Sequence, residues 1–160
     1  MAEERYGSRS APGCRFAIVV SRFNDEITEP LLGGARRALA EASVPDDHVA
    51  IVRVPGAFEI PVAAVRAARS GRFDAVICIG CLIKGETMHF EYIATSACQA
   101  IADAAVATGV PMALGVLTTL TEEQARARAG DGPDNKGREA ALAALEMATL
   151  FRQLREAWTS

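Results

Sequence analysis

Asp74-Ala75-Val76-Ile77-Cys78-Ile79 is an unbroken apolar run behind one acidic residue, and Gly80-Cys81-Leu82-Ile83-Lys84-Gly85-Glu86-Thr87-Met88-His89 follows it directly. From Phe90 the spacing changes, with Phe90, Ile93, Ala97, Ile101, Ala104 and Ala105 recurring at helical intervals. A short β-branched run that is apolar on both sides suits a strand covered on both faces of a parallel sheet. The stretch therefore predicts a strand over 74–79, a functional loop over 80–89 and a helix beyond it.

The same alternation repeats outward in both directions. Phe16-Ala17-Ile18-Val19-Val20, Val49-Ala50-Ile51-Val52-Arg53-Val54 and Met112 to Leu117 are three further strand candidates. Between them, Ile27, Leu31, Leu32, Ala35, Ala38 and Leu39 form one helical stripe, with Pro30 tolerable only near its start. Ile60, Ala64, Ala67 and Ala68 form another, with Pro61 in the first turn. Thr121 and Gln124 have capping-box spacing, which predicts a short helix over 122–128. A last helix is expected from about Arg138 to Ala157, with Ala141, Leu145, Ala148 and Phe151 along one side. Strand and helix alternate, so the expected fold is a doubly wound α/β sheet with right-handed crossovers.

A chain of 160 residues, half of them apolar, supports one domain with a proper core. Residues 1–14 mix charge with Gly, Ser and Pro and read as a flexible tail, leaving 15–157 as the single domain. That tail lacks the apolar centre of a signal peptide, and no run approaches the roughly 20 apolar residues that span a bilayer. The expected location is the cytoplasm. A net charge of -3 argues against nucleic acid or an anionic membrane as the main partner. Of the four cysteines, Cys78 and Cys81 form a C-x-x-C pair, yet Cys78 is embedded in a strand and no second ligand pair completes a zinc site. All four, Cys14 and Cys98 included, are expected as reduced thiols in the core or a site wall.

Ligands of such sheets bind beyond the carboxyl ends of the strands. The segments to search are Ser21-Arg22-Phe23-Asn24, Pro55-Gly56-Ala57-Phe58-Glu59, Gly80 to His89, and Thr118-Thr119. The chain has no G-x-G-x-x-G after its first strand, no Walker A sequence and no G-x-S-x-G elbow. Gly85 and Thr87 could offer backbone N–H groups and a hydroxyl to an anion at the helix start. His89 in the first turn could act as a neutral base, or could simply pack or cap. Arg126, Arg128, Lys136 and Arg138 bracket Gly130 to Asn135 and could close on a phosphate, or form a solvated face. Phe23 and Phe58 could stack on a planar ring or plug the core. Glu59 could read a ligand or cap a helix.

Five motifs in order carry a resemblance. Ser21-Arg22-Phe23-Asn24, Val54-Pro55-Gly56-Ala57-Phe58-Glu59-Ile60-Pro61, Gly80 to His89 with Phe90-Glu91-Tyr92, Gly115-Val116-Leu117-Thr118-Thr119 with Gln124-Ala125, and Asn135-Lys136-Gly137 with Glu139-Ala140-Ala141 together resemble the lumazine synthase family of riboflavin biosynthesis. The resemblance covers about Arg15 to Leu154. It implies a flavodoxin-like three-layer sandwich with a four-stranded parallel sheet and helices on both faces. It implies a transferase that condenses 5-amino-6-(D-ribitylamino)uracil with 3,4-dihydroxy-2-butanone 4-phosphate, through an imine, phosphate loss, ring closure and loss of water, without metal or organic cofactor. Carried over by motif, Phe23 should stack on the pyrimidine. Ala57, Phe58 and Glu59, with Cys81, Leu82, Ile83 and Leu114, should hold the ring and ribityl chain. Glu86, Thr87 and Arg128 should hold the phosphate, Lys136 should support them, and His89 should shuttle protons. Two positions depart from the pattern: Leu114 stands where many relatives have an aromatic residue, and Lys84 where Arg is common.

The resemblance also implies a homo-oligomer, a pentamer or a shell of pentamers, with sites between subunits. Phe23, Ala57 to Glu59 and His89 would then face Leu114, Arg128 and Lys136 of a neighbour. The short turn from Gly130 to Asn135 leans toward a shell, which could house a riboflavin synthase. The rival readings are a non-catalytic flavin or lumazine carrier, a riboflavin synthase of the archaeal kind, and a C-x-x-C redox protein. Retention of His89, Arg128 and Lys136 argues against the carrier.

Overall fold

A computed structural model describes residues 1–159. Four strands, β1 (Phe16–Ser21), β2 (Val49–Val54), β3 (Ala75–Ile83) and β4 (Met112–Thr119), form one sheet in the order β2-β1-β3-β4, and every neighbouring pair is parallel. Five α-helices cover it: α1 (Asp25–Glu41), α2 (Ile60–Arg69), α3 (His89–Thr108), α4 (Glu122–Arg128) and α5 (Lys136–Trp158). This is the doubly wound α/β sheet expected from the alternation of strand and helix, in the flavodoxin-like three-layer arrangement that the resemblance implies.

The two core layers follow from the twofold period of a strand. Phe16, Ile18 and Val20 of β1, with Ala75, Ile77, Ile79 and Cys81 of β3, pack under α1 and α5. Ala17 and Val19, with Val76 and Cys78, pack under α2 and α3. The expectation of strands covered on both faces holds for β1 and most of β3 and fails at the edge. Ile51 and Val52 of β2 remain 38% and 37% exposed. Among the described residues no strand lies beyond β2, and Arg53 forms an ion pair with Glu29 of α1.

Several boundaries differ from the sequence reading. β3 continues four residues past Ile79, because Gly80 to Ile83 pair in register with Val116 to Thr119. β4 accordingly runs on to Thr119 rather than stopping at Leu117. Gly80 is bare because the layer above is close: a Cβ there would lie 3.0 Å from Ile60 Cδ1 and 3.1 Å from Ser21 Oγ. Pro30 sits five residues into α1, where the helix tolerates it. Asn24 precedes α1 in the left-handed conformation (φ 61, ψ 45), which asparagine adopts more readily than most residues. α4 covers the expected residues, capped by Thr121, whose Oγ1 accepts from Gln124 N at 3.1 Å. α5 starts two residues earlier than expected and ends one residue later. Before β1 the chain has no helix or strand; Ser8 N donates to Thr149 Oγ1 of α5 and Ala11 N to Ala42 O.

Candidate active site

The strand order reverses between β1 and β3, and a crevice at their carboxyl ends is the place such a sheet offers a ligand. A cavity of about 710 Å³ opens there. It is lined by Phe23 after β1, by residues 55–59 after β2, by Leu82 and Ile83 of β3, and by Gly85, Thr87, His89, Phe90 and Ile93 around the start of α3. Its wall is mostly apolar, with a few polar groups gathered at the α3 end, the composition expected of a small-molecule site.

Each element is held in place by its backbone. Arg22 N donates to Val54 O at 2.8 Å and Phe23 N to Pro55 O at 3.0 Å, so the loops after β1 and β2 are tied together. Asn24 Nδ2 donates to Cys81 O at 2.9 Å, which ties the same loop to β3. Phe23 and Phe58 are 67% and 62% exposed. Neither plugs the core, and both leave ring surface open to a ligand. Ala57 is buried, while Glu59 bends back so that its Oε1 accepts from Gly56 N at 2.9 Å. That bond closes the single 3₁₀ turn over 57–59 ahead of α2, so Glu59 does serve as a local clamp.

At the other end, His89 is the first residue of α3 and is exposed. Its N–H points to Thr87 Oγ1 at 3.4 Å. Lys84 N donates to Thr119 O at 2.9 Å, and its Nζ lies 3.6 Å from Glu91 Oε1. Glu86 is exposed and does not line the cavity.

Cys81 is not part of the cavity wall. Its side chain is 2% exposed and faces the α1–α5 layer, because a residue at an odd strand position points away from Leu82. Cys78 faces the opposite layer for the same reason. Three residues along a strand put the two thiols on opposite faces of the sheet, and all four cysteines are unpaired. Burial pushes the Cys78 thiol up to about 12 and the Cys81 thiol up to about 11. Both are therefore thiols rather than thiolates near neutrality, unsuited to redox or metal chemistry. Among the described residues, no three His, Cys, Asp or Glu side chains gather closely enough to hold a metal ion.

Leu114, Arg128 and Lys136 lie elsewhere. With Gly115 to Thr119, Glu139, Ala140 and Ala143, they line a second hollow of about 400 Å³ against the outer edge of β4. Leu114 is 53% exposed there. Lys136 Nζ pairs with Glu139 Oε2 at 2.9 Å and Arg128 donates to Gln124 O at 3.0 Å. Arg126, by contrast, is engaged with Glu26 at 2.7 Å and with Glu122. Arg138 pairs with Glu41 at 2.8 Å. Apart from Cys81 and Glu86, which line neither hollow, the sequence-predicted residues thus fall into two groups on separate surfaces of one chain. The tie from Asn24 to Cys81 O is a site element that residue types alone did not disclose.

Fold and cavity together define an α/β protein with a largely apolar small-molecule cavity at the switch point of its sheet, and with Arg128 and Lys136 set apart at a second hollow. The family described as 6,7-dimethyl-8-ribityllumazine synthase matches residues 13–152. Proteins of that name are similar to this chain over nearly their whole length. The Salinibacter ruber protein is 51% identical over 148 residues, covering 92% of this chain and 95% of its own. The Syntrophus aciditrophicus protein is 50% identical over 148 residues, covering 92% and 96%. The Desulfatibacillum aliphaticivorans protein is 46% identical over 149 residues, covering 93% and 96%. This chain belongs to the 6,7-dimethyl-8-ribityllumazine synthase family.

Proposed function

We propose that this protein condenses 5-amino-6-(D-ribitylamino)uracil with 3,4-dihydroxy-2-butanone 4-phosphate to 6,7-dimethyl-8-ribityllumazine, releasing phosphate and water. The observation that carries this reading is the cavity at the switch point. Exposed Phe23 and Phe58 and the Leu82–Ile83 wall lie at one end, and Thr87 and His89 at the other.

The pyrimidine lies flat against Phe23, with Leu82 and Ile83 beneath it and Ala57 to Glu59 along its ring edge and ribityl chain. Cys81 contributes backbone alone, since its thiol faces the other layer. The ring's primary amine attacks the ketone carbon, and loss of water from the adduct leaves an imine. Phosphate then departs with the electron pair of its C–O bond as the neighbouring carbon loses a proton, and the enol so formed becomes a ketone. The nitrogen that carries the ribityl chain adds to that carbonyl carbon, and its oxygen leaves as a second water. No oxidant or reductant is consumed. His89 moves the protons that these steps exchange between nitrogen, oxygen and water. Thr87 seats the phosphate end of the butanone through its hydroxyl and Glu86 through its backbone N–H, its carboxylate turned to solvent, and Arg128 neutralises the departing phosphate through its forked donors. Lys136 supports Arg128, and Leu114 supplies apolar surface. Holding two reactants in contact supplies much of the rate.

Arg128, Lys136 and Leu114 line a different hollow from His89. A complete site therefore needs the cavity of one chain and the hollow of another, which supports a homo-oligomer, a pentamer with sites between neighbours. The short turn over 130–135 favours further assembly into a shell, one able to enclose a riboflavin synthase. No helix among the described residues is long and apolar enough to cross a membrane. We assign the enzyme to the cytoplasm, a reading that its water-soluble substrates fit.

The test is to mix purified protein with both substrates and follow lumazine absorbance and phosphate release together. Equal yields of the two support the reading. Ligand binding without turnover would replace it with a carrier role. Native mass measurement tests the pentamer and the shell.

A further inference from the structure

Arg128 ends α4 and Lys136 begins α5, so each cation rides on a rigid helix and is restrained locally, by Gln124 O and by Glu139 respectively. Their separation then depends on what holds the ends of the connection between the helices, residues 129–135, which has no regular structure. Asp131, Gly132, Pro133 and Asp134 are all exposed. Only the two ends of the connection are buried, Ala129 at 6% exposure and Asn135 at 2%.

The Asn135 side chain uses its polar groups in three directions. Oδ1 accepts from Arg138 N at 2.9 Å, capping α5. Nδ2 donates to Gly130 O at 3.0 Å, which draws the two ends of the connection together. Nδ2 also donates to Pro30 O at 3.2 Å, which fastens them to α1. Gly34 of α1 makes room for this amide: a Cβ there would lie 2.2 Å from Asn135 Oδ1. Two residues on, Gly137 lets the first turn of α5 sit directly on α1, where a Cβ would lie 1.9 Å from Leu31 O. A carboxylate keeps the acceptor and loses both donors. A hydroxyl on one carbon cannot span three partners.

We propose that Asn135 is the positioning residue of the cationic hollow, setting where Arg128 and Lys136 stand relative to one another by tying Gly130 O and Pro30 O to the first turn of α5. It is buried and does not line the hollow itself. The inference rests on the assignment of Arg128 to the phosphate under the proposed function.

The decisive variant is Asn135→Ser, which keeps a capping oxygen for Arg138 N and removes the bonds to Gly130 O and Pro30 O. Each substrate is varied with the other saturating. The expected result is a rise of about tenfold in KM for the butanone phosphate, inside the hundredfold that a 1 Å misplacement can cost. KM for the pyrimidine stays within about twofold, because Asn135 does not border that cavity. Inorganic phosphate, used as a competitive probe, should weaken in parallel. Val44→Ala, a buried change remote from the hollow, should lower Tm and leave both KM values alone. If Asn135→Ser behaves like Val44→Ala, its role is structural only and the proposal is overturned. A one-glycine insertion between Asp131 and Gly132 gives an independent reading even if Asn135→Ser fails to fold. It preserves the Asn135 bonds and should leave both KM values unchanged; a large rise for the butanone phosphate would place control in the turn instead, and sink the idea. Absence of turnover in the unaltered protein, or an Arg128→Ala variant with normal butanone KM, would instead remove the parent reading.

Discussion

Replacing Phe23 with alanine separates what its ring does for the fold from what it does for a ligand. The ring sits at a fixed place because its own N–H is bonded to Pro55 O and its neighbour Asn24 to Cys81 O, and neither bond involves the ring. The residue is 67% exposed, so only about a third of its surface is buried by the fold. An aromatic side chain offers roughly 200 Å². At about 25 cal/mol per Å², truncation should cost at most about 1.5 kcal/mol of stability, an upper bound because the unfolded chain also buries surface. A stacked pyrimidine would cover one face of the exposed part, some 65 Å². Area and ring geometry together then give about 2 kcal/mol of binding, or about thirtyfold in affinity. The assay is initial rate of lumazine formation with the pyrimidine varied at saturating butanone phosphate, beside a thermal melt. Phe23→Ala should raise KM for the pyrimidine about thirtyfold and lower Tm by less than about 6 °C. Phe23→Tyr should stay near the unaltered protein. A rise below threefold would show that the ring is not the stacking surface, and an equal rise for both substrates would show that it acts through the fold.

His89→Ala should slow turnover by no more than about a hundredfold, the low end for a lost acid–base group, and leave measurable activity. Single-turnover rates check this, and complete loss with intact folding and binding would refute the weight given to proximity. Gly137→Ala should destabilise by about 3 kcal/mol or more, since ordinary carbon–oxygen contacts begin near 3.3 Å and α5 would have to lift from Leu31 O. A melt should fall by roughly 6–12 °C, and a shift under 2 °C would contradict the close approach. Cys78 and Cys81 give a pH dependence with a definite sign. Their folded pKa values lie above the ordinary 9.0, at about 12 and about 11. The unfolded chain releases those protons first, so their contribution is whole below about pH 9 and is lost as pH rises through the folded values. Urea midpoints measured up to about pH 10.5 should fall with pH in the unaltered protein and fall less in Cys78→Ala/Cys81→Ala; parallel slopes would disprove it.

The centres of the strands were legible because β-branched runs such as Phe16 to Val20 have one use in a chain of this length, and α4 because Thr121 and Gln124 mark its start directly. Strand ends were not. Gly80, Cys81, Leu82 and Ile83 look like the opening of a loop, and only their register with Val116 to Thr119 keeps them in the sheet. Residue type named Phe23 and Phe58 as candidates, yet whether either ring plugs the core was decided by exposure, a tertiary quantity. Glu59 illustrates the converse: its carboxylate was open to two uses, and the bond from Gly56 N places it in the local turn. The division of the polar residues between two hollows depends on which edge of the sheet each loop leaves from, which strand order alone determines. Asn135 was visible as part of a motif, but its bonds reach Pro30, 105 residues away.

The odd spacing of Cys78 and Cys81 has a use beyond excluding a disulfide. One thiol is sealed beneath α2 and α3, the other beneath α1 and α5, so each becomes reachable only when its own layer parts from the sheet. With Cys14 and Cys98 replaced, the chain carries two native reporters of breathing motions, one per face. Comparing their labelling rates would reveal whether the sandwich opens as a single unit or peels from one side first.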